Sequence, residues 1–288
     1  MGKKGKKAQA GKPKKLTPKD IGKRLDALVK KLEEELEGAD LFAPPTPETE
    51  DCPICLVPFS RANMGHVAFW ACCGKKVCIG CNGEKDAFLE PDSDPLCPFC
   101  RTPLASSKQW LGQMEARVAK SDAYALYNLG TVFLMGTHHQ PKDELRALWY
   151  YTQAAELGSA GACGSISYCY QSGKGVSVNL ERFVFFLVAG AFKGYLDCRH
   201  NLGRYEYFSL GNHESAIRHW KISAEAGMQR SLDELTNIFK ADGQLPGKEH
   251  ISQQLLDEVS RACQQAQERV KSEEREKHKG DEIVFKYM

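Results

Sequence analysis

The sequence predicts an all-α helical-repeat solenoid preceded by a small metal-stabilised module, with an N-terminal helix and a disordered basic tail in front. Three observations carry this. Eight of the twelve cysteines fall between Cys52 and Cys100. From Asp122 to about Gly227 a pattern of small and large residues recurs every 33 to 37 positions. Between Thr17 and Gly38, Ile21, Leu25, Leu28, Leu32 and Leu36 repeat at helical spacing.

At roughly 100–200 residues per domain, 288 residues suggest about two folded units. Residues 1–16 form the tail. Seven lysines and no acid lie in residues 1–15, while the whole chain carries only +2, so a basic tail precedes a mildly acidic body. The tail suits phosphate contact, nuclear import or simple solubility. It has no aromatic residue for base stacking, so nucleic acid is not an expected partner except through these lysines. With no apolar segment behind the lysines it does not read as a secretory signal. Lys6 stands where a myristoylation site wants Ser or Thr. The longest apolar run, Phe183 to Phe192, falls well short of the roughly 18 residues of a membrane helix. The expectation is a protein of the cytoplasm or nucleus with no membrane span.

Residues 17–38 are expected as an amphipathic helix. Thr17 can cap it, Pro18 suits its first turn, Asp20 stands where a capping box wants an acid, and Gly38 ends it. Residues 39–51, with the stretch APPTPETED, read as an extended linker. The cysteine module spans 52–103, a connecting helix 104–121, the repeats 122–245, and a C-terminal capping helix and tail 246–288. Ile251, Leu255, Val259 and Val270 mark that last helix.

Within the repeats, Leu129-Gly130, Ile166-Ser167 and Leu202-Gly203 are 37 and 36 apart, and Gly158, Gly194 and Gly227 are 36 and 33 apart. Such a period means stacked helix pairs, each burying its apolar face against the next. Tyr150-Tyr151, Phe186-Leu187 and His219-Trp220 are the groove-filling residues, and Ala154-Ala155, Gly190-Ala191 and Ser223-Ala224 allow close helix approach. The repeats resemble the Sel-one-like class, relatives of tetratricopeptide repeats. The second is clearest, with Tyr170, Gly173, Gly175, Val176 and then Asn179 where the family often has Asp. The third departs, with Glu206 in place of a usual Tyr and a loop shortened around Gly211-Asn212. The resemblance implies a concave surface that holds a protein partner, without chemistry of its own. Gly173-Lys174-Gly175 lacks phosphate-loop spacing. His138-His139 and His213 are expected in loops without cysteine partners, and Cys163, Cys169 and Cys198 as small core residues.

In the cysteine module, Cys52-xx-Cys55 is followed after sixteen residues by Cys72-Cys73, after four by Cys78-xx-Cys81, and after fifteen by Cys97-xx-Cys100. A reducing compartment disfavours disulfides there. A CxxC turn presents two thiolates on one side of a loop, so eight thiolates suffice for two tetrahedral zinc ions. The motifs CPIC, CCGKKVCIGC and CPFCR resemble the RING finger family. That resemblance implies a small α/β cross-brace with interleaved ligands. Cys52, Cys55, Cys78 and Cys81 would then hold one zinc, and Cys72, Cys73, Cys97 and Cys100 the other. Two departures stand out. Lys75 replaces the family's histidine ligand, and Cys72 and Cys73 are adjacent, where the all-cysteine variant separates them by one. Adjacent side chains diverge, so either a contorted turn lets both ligate or one is free and His66 completes the site.

The resemblance further implies contact with a ubiquitin-conjugating enzyme through Ile54, Pro98 and Arg101, with no catalytic nucleophile in the finger. Two functions follow. One is a ubiquitin ligase or ligase subunit that recruits a conjugating enzyme through the finger and a protein partner through the repeats. The other is a non-catalytic interaction scaffold with a structural zinc module.

Overall fold

A computed structural model describes residues 16–43, 50–59, 67–83, 96–103, 105–241 and 245–271. The lysine-rich residues 1–15, His66 and residues 44–49 of the linker lie outside these residues. The first helix, α1 (Pro18–Leu36), starts at Thr17, whose hydroxyl accepts from the Asp20 backbone N–H. Pro18 takes the first turn, where a missing N–H costs nothing. Ile21, Leu25, Leu28, Val29 and Leu32 form its buried stripe, and Gly38 turns the chain out at φ +72°.

The cysteine-rich segment holds a two-stranded antiparallel hairpin, β1 (Val67–Trp70) and β2 (Lys75–Cys78), with Val67 opposite Cys78 and Trp70 opposite Lys75. A single short turn of helix, α2 (Ile79–Gly83), follows. Its core is small: Cys52, Phe59, Trp70, Val77, Cys78, Cys81 and Cys97. The connecting helix α3 (Ser107–Val118) opens with a reciprocal capping box between Ser106 and Gln109.

The repeats are helix pairs: α4 (Ala123–Met135) with α5 (Glu144–Glu156), α6 (Ala160–Ser172) with α7 (Leu180–Phe192), and α8 (Leu196–Tyr205) with α9 (His213–Glu225). A fourth pair is α10 (Gln229–Lys240) with α11 (Gln253–Glu268). The periodicity is visible in the caps. Asp122 and Ser159 cap the first helices of repeats one and two, and Asp143 and Asn179 the second helices. Gly136 and Gly173 end α4 and α6 in the left-handed region. Repeat three loses this chemistry. Neither Tyr195 nor Asn212 makes a side-chain cap, and α8 runs on into a π-helical turn, Glu206–Leu210, that closes on Gly211 at φ +70°. This is the shortened loop the sequence indicated.

The large residues at the predicted phase are buried: Tyr150, Tyr151, Phe186, Leu187, His219 and Trp220. Cys163, Cys169 and Cys198 are core residues, and burial pushes their thiols up. Two local expectations are corrected. His213 does not lie in a loop. It opens α9, with its ring edge-on to Tyr207 at 4.7 Å. The last helix is also shorter than Ile251 to Val270, because Ser252 caps it through the Leu255 N–H and leaves Ile251 buried ahead of it.

The N-terminal segment is part of this body. α1 packs across α5 and α7. Arg24 makes two 2.5 Å bonds to the Glu156 carboxylate and stacks over Trp149, and Lys193 reaches Glu35 at 2.5 Å. Further on, the buried Arg199 guanidinium donates to the Leu41 carbonyl, and Phe42 sits between Arg218 and His219 of α9. Residues 18–42 thus strap the second helices of three successive repeats. Among the described residues, no helix is long and apolar enough to cross a membrane.

Candidate metal centre

Two knuckles of the same geometry frame the site. In the first, Leu56 N–H returns to the Cys52 carbonyl (2.8 Å) and Cys52 N–H bonds the Val57 carbonyl (3.0 Å). In the second, Arg101 N–H returns to Cys97 (2.9 Å) and Cys97 N–H bonds Thr102 (2.8 Å). Leu56 and Arg101, each one residue past the second cysteine, both take φ +57°. That left-handed residue reverses the chain so that both thiols of the knuckle face inward. Isolated bridges, Asp51 with Pro58 and Leu96 with Pro103, close each loop.

The hairpin brings the remaining thiols to these knuckles. Cys52, Cys55, Cys78 and Cys81 form one group, and Cys72, Cys73, Cys97 and Cys100 another. Within each, all four sulfurs lie within 4.8 Å of one another. The groups alternate along the chain, the first cysteine pair joining the third and the second joining the fourth. Each group is able to hold a metal ion. Cys72 and Cys73 do enter one group together, Cys72 at 3.4 Å from Cys100 and Cys73 at 3.6 Å from Cys97. The turn that permits this runs from Trp70 to Lys75. The Trp70 carbonyl accepts from both Cys73 (3.2 Å) and Gly74 (2.7 Å), and Gly74 lies at φ +77°. Among the described residues the second group offers four sulfurs, and the alternative of His66 lies outside those residues.

The electrostatics fit a cation. Burial and the neighbouring thiols push Cys72 and Cys81 well up, and burial raises Cys55 and Cys97. Cys52, despite its burial, is brought down to about 7 by the backbone N–H groups of Cys55, Cys78 and Ile54. The Thr102 hydroxyl, 3.1 Å away, brings Cys100 down to about 6. Each group therefore starts from one acidic thiol and holds others that resist ionising beside it. A divalent cation removes that conflict, and a set of four sulfur donors suits zinc.

Ile54, Pro98 and Arg101 are all exposed, Ile54 to 40%, with Leu56 beside it at 74%. Ile54 belongs to one knuckle and Pro98 to the other. Lys75 is exposed at the start of β2. The finger is fastened to the first repeat. Phe69 packs on Tyr124 at 4.8 Å, Lys76 lies over the same ring, and Arg117 of α3 donates to the Cys73 carbonyl. Sequence spacing carried no signal for Arg117, which stands 44 residues from its acceptor.

The fold and the site define a helical-repeat protein with a two-group, four-thiol finger at its N-terminal side. The Sel1 repeat family model matches residues 123–159, 161–182 and 197–228, segments that fall on the first three helix pairs. All three segments lie beyond the cysteine-rich module. Among solved structures, the chain is similar to a Sel1 repeat protein from Oxalobacter formigenes, at 28% identity and a TM-score of 0.46 over 55% of this chain and 66% of that one. It is also similar to a protective antigen with an SLR fold from uropathogenic Escherichia coli, at 23% identity and a TM-score of 0.45 over 54% of this chain and 33% of that one. No curated protein matches the chain.

Proposed function

We propose that the chain is a two-ended protein adaptor. Its finger, RING-like and held by two zinc ions, recruits a ubiquitin-conjugating enzyme, and its Sel1 repeats hold a protein partner, in the cytoplasm or nucleus. Cys52, Cys55, Cys78 and Cys81 would hold one ion, and Cys72, Cys73, Cys97 and Cys100 the other. Bound there, zinc supplies folding energy to a segment with a very small core. The observation that carries the reading is the alternation of the two thiol groups along the chain. It sets the knuckle with exposed Ile54 in one group and the knuckle with exposed Pro98 and Arg101 in the other.

The finger on this reading supplies no nucleophile. It contributes proximity and orientation, gripping an enzyme that already carries activated ubiquitin. Ile54 offers an apolar contact, Pro98 a rigid edge, and Arg101 a planar set of donors able to bridge two carbonyls.

The test is reconstitution with activating enzyme, a panel of conjugating enzymes and ubiquitin. The expected result is ubiquitin chains whose formation drops at least tenfold in Ile54→Ala and Arg101→Ala, with two zinc ions per chain retained. No stimulation across the panel, with both ions bound, overturns the ligase role and leaves a non-catalytic scaffold.

A further inference from the structure

The second thiol group poses a geometric problem. Consecutive side chains on an extended strand point to opposite faces, yet Cys72 and Cys73 send both sulfurs into one cluster. The turn between β1 and β2 accomplishes this, and it leaves the Cys73 carbonyl outside the strand ladder. That carbonyl accepts from Arg117, on a helix outside the finger. The same guanidinium occupies the space beside Gly74 where any other residue would carry its Cβ. Its own position is set from the repeats, where the Arg117 Nε lies 3.4 Å from the Asp122 carboxylate. Asp122 is itself fixed as the cap of α4, accepting from the Tyr124 and Ala125 N–H groups.

We propose that Arg117 is a positioning residue for the second metal site: it locks the Cys72-Cys73-Gly74 turn in its ligating shape from the outer shell and ties that site to the first Sel1 repeat. The inference rests on the reading of the thiol groups as zinc sites. The first group has no such clamp from the repeats among the described contacts, so the two sites differ in what supports them. An arginine suits the task. Its fork fills the gap at Gly74 while one arm bonds the carbonyl and another side faces Asp122. Its charge also offsets part of the excess negative charge of four thiolates around a divalent ion.

The experiment follows cobalt and zinc in the full chain. The cobalt protein is read by its thiolate-to-metal charge-transfer band, and the zinc protein by metal content and by the rate of release to a chelator. Arg117→Met keeps the length and removes the donors. It is expected to release one of two ions 10- to 100-fold more readily, the usual cost of removing an outer-shell partner, while the other ion leaves at the wild-type rate. Arg117→Lys, which restores a charged donor, recovers part of the loss. Gly74→Ala pushes the guanidinium away from the opposite side and reproduces the Arg117→Met behaviour, and helical content by circular dichroism stays at the wild-type level in all three. If Arg117→Met does not fold, Asp122→Asn, which keeps the α4 cap, is expected to weaken the same single site to a smaller degree. Two ions released at wild-type rates from Arg117→Met, or both ions weakened equally, overturns the role of Arg117. A wild-type chain that takes up no ion overturns the zinc reading beneath it.

Discussion

Gly130 and Tyr151 show how the repeats are packed at the level of single side chains. A Cβ at Gly130 would lie 2.6 Å from the Tyr151 ring, and one at Gly203 would lie 2.8 Å from Trp220 Nε1. In repeat two the corresponding positions are Ser167 and Leu187, both buried, with the serine hydroxyl bonded to the Phe183 carbonyl at 2.9 Å. The groove is thus filled by a trade of volume across the helix pair, aromatic against glycine or leucine against serine. Gly130→Ser alone overpacks a site where Tyr151 is 1% exposed, and is expected to cost about 1–3 kcal/mol. Tyr151→Leu alone leaves a cavity and removes the hydrogen bond that the phenol donates to the Thr131 hydroxyl at 3.1 Å. The double variant copies the pair of repeat two, so urea denaturation should give it a loss smaller than the sum of the singles by about 1 kcal/mol or more. Strictly additive losses would show that the two positions do not share the groove. The recurrence of these pairs was readable in the sequence because volume complementarity leaves a periodic trace. The Arg117–Cys73 contact left none, since a single long-range hydrogen bond to a backbone carbonyl imposes no pattern on the residues around it.

Helices α8, α9 and α10 meet through a buried polar knot. His200 Nδ1 and the Ser231 hydroxyl are 2.9 Å apart, Ser223 donates to Ser231 at 2.7 Å, and the Trp220 indole donates to the His200 carbonyl. This knot joins repeats three and four at the point where the side-chain caps of repeats one and two are missing. His200 is 4% exposed. Burial, with Arg230 and Arg204 nearby and Asp197 only partly opposing them, draws it down to about 4. A histidine depressed in the folded state holds fewer protons there than in the unfolded chain, where it titrates near 6.5. The unfolded state therefore gains protons first as pH falls, and stability drops between about pH 6.5 and pH 4, by up to about 3 kcal/mol. His200→Gln, which keeps hydrogen-bonding capacity without titrating, should flatten that part of the curve. The check is Tm against pH for both proteins, since their difference removes the acid sensitivity of the thiol groups. Parallel curves from pH 7 to 4 would sink the assignment. The N-terminal strap belongs to this scale as well. Its helix was legible from the spacing of Ile21 to Leu36, but its seat across α5 and α7 and the clamp on Phe42 were not, because apolar periodicity names the buried face without naming what covers it.

At the scale of the molecule, three apolar clusters among the described residues divide the work unevenly. The largest joins α1, α3 and the helices from α4 to α8, and a second holds Tyr207, Trp220 and the terminal pair α10 and α11. The finger's own cluster has seven buried residues, of which Cys52, Cys78, Cys81 and Cys97 are cysteines. The order of parts, finger then repeats, was legible because cysteine spacing and helix-pair periodicity are both local signals. The fastening of one to the other was not, because it depends on a few contacts: Phe69 on Tyr124, Arg117 on Cys73, and Ala71 within the main cluster. This imbalance sets the response to metal removal. On the zinc reading, chelation removes the cross-links among all eight thiols, and Phe59, Trp70 and Val77 are too few to hold a core. The repeats bury most of their apolar surface without reference to the finger, so they should persist. Chelation under reducing conditions is therefore expected to open residues 50–103 to protease while the helical circular dichroism signal stays nearly unchanged. The repeat transition should fall by only a few degrees, since a loss of about 1–2 kcal/mol from the severed contacts shifts Tm by roughly that much in a body of this size. Calorimetry before and after chelation is the deciding measurement. If finger and repeats melt in one transition that collapses on chelation, the finger is not an appended module but a keystone of the solenoid, and Arg117 would be the first contact through which that dependence runs.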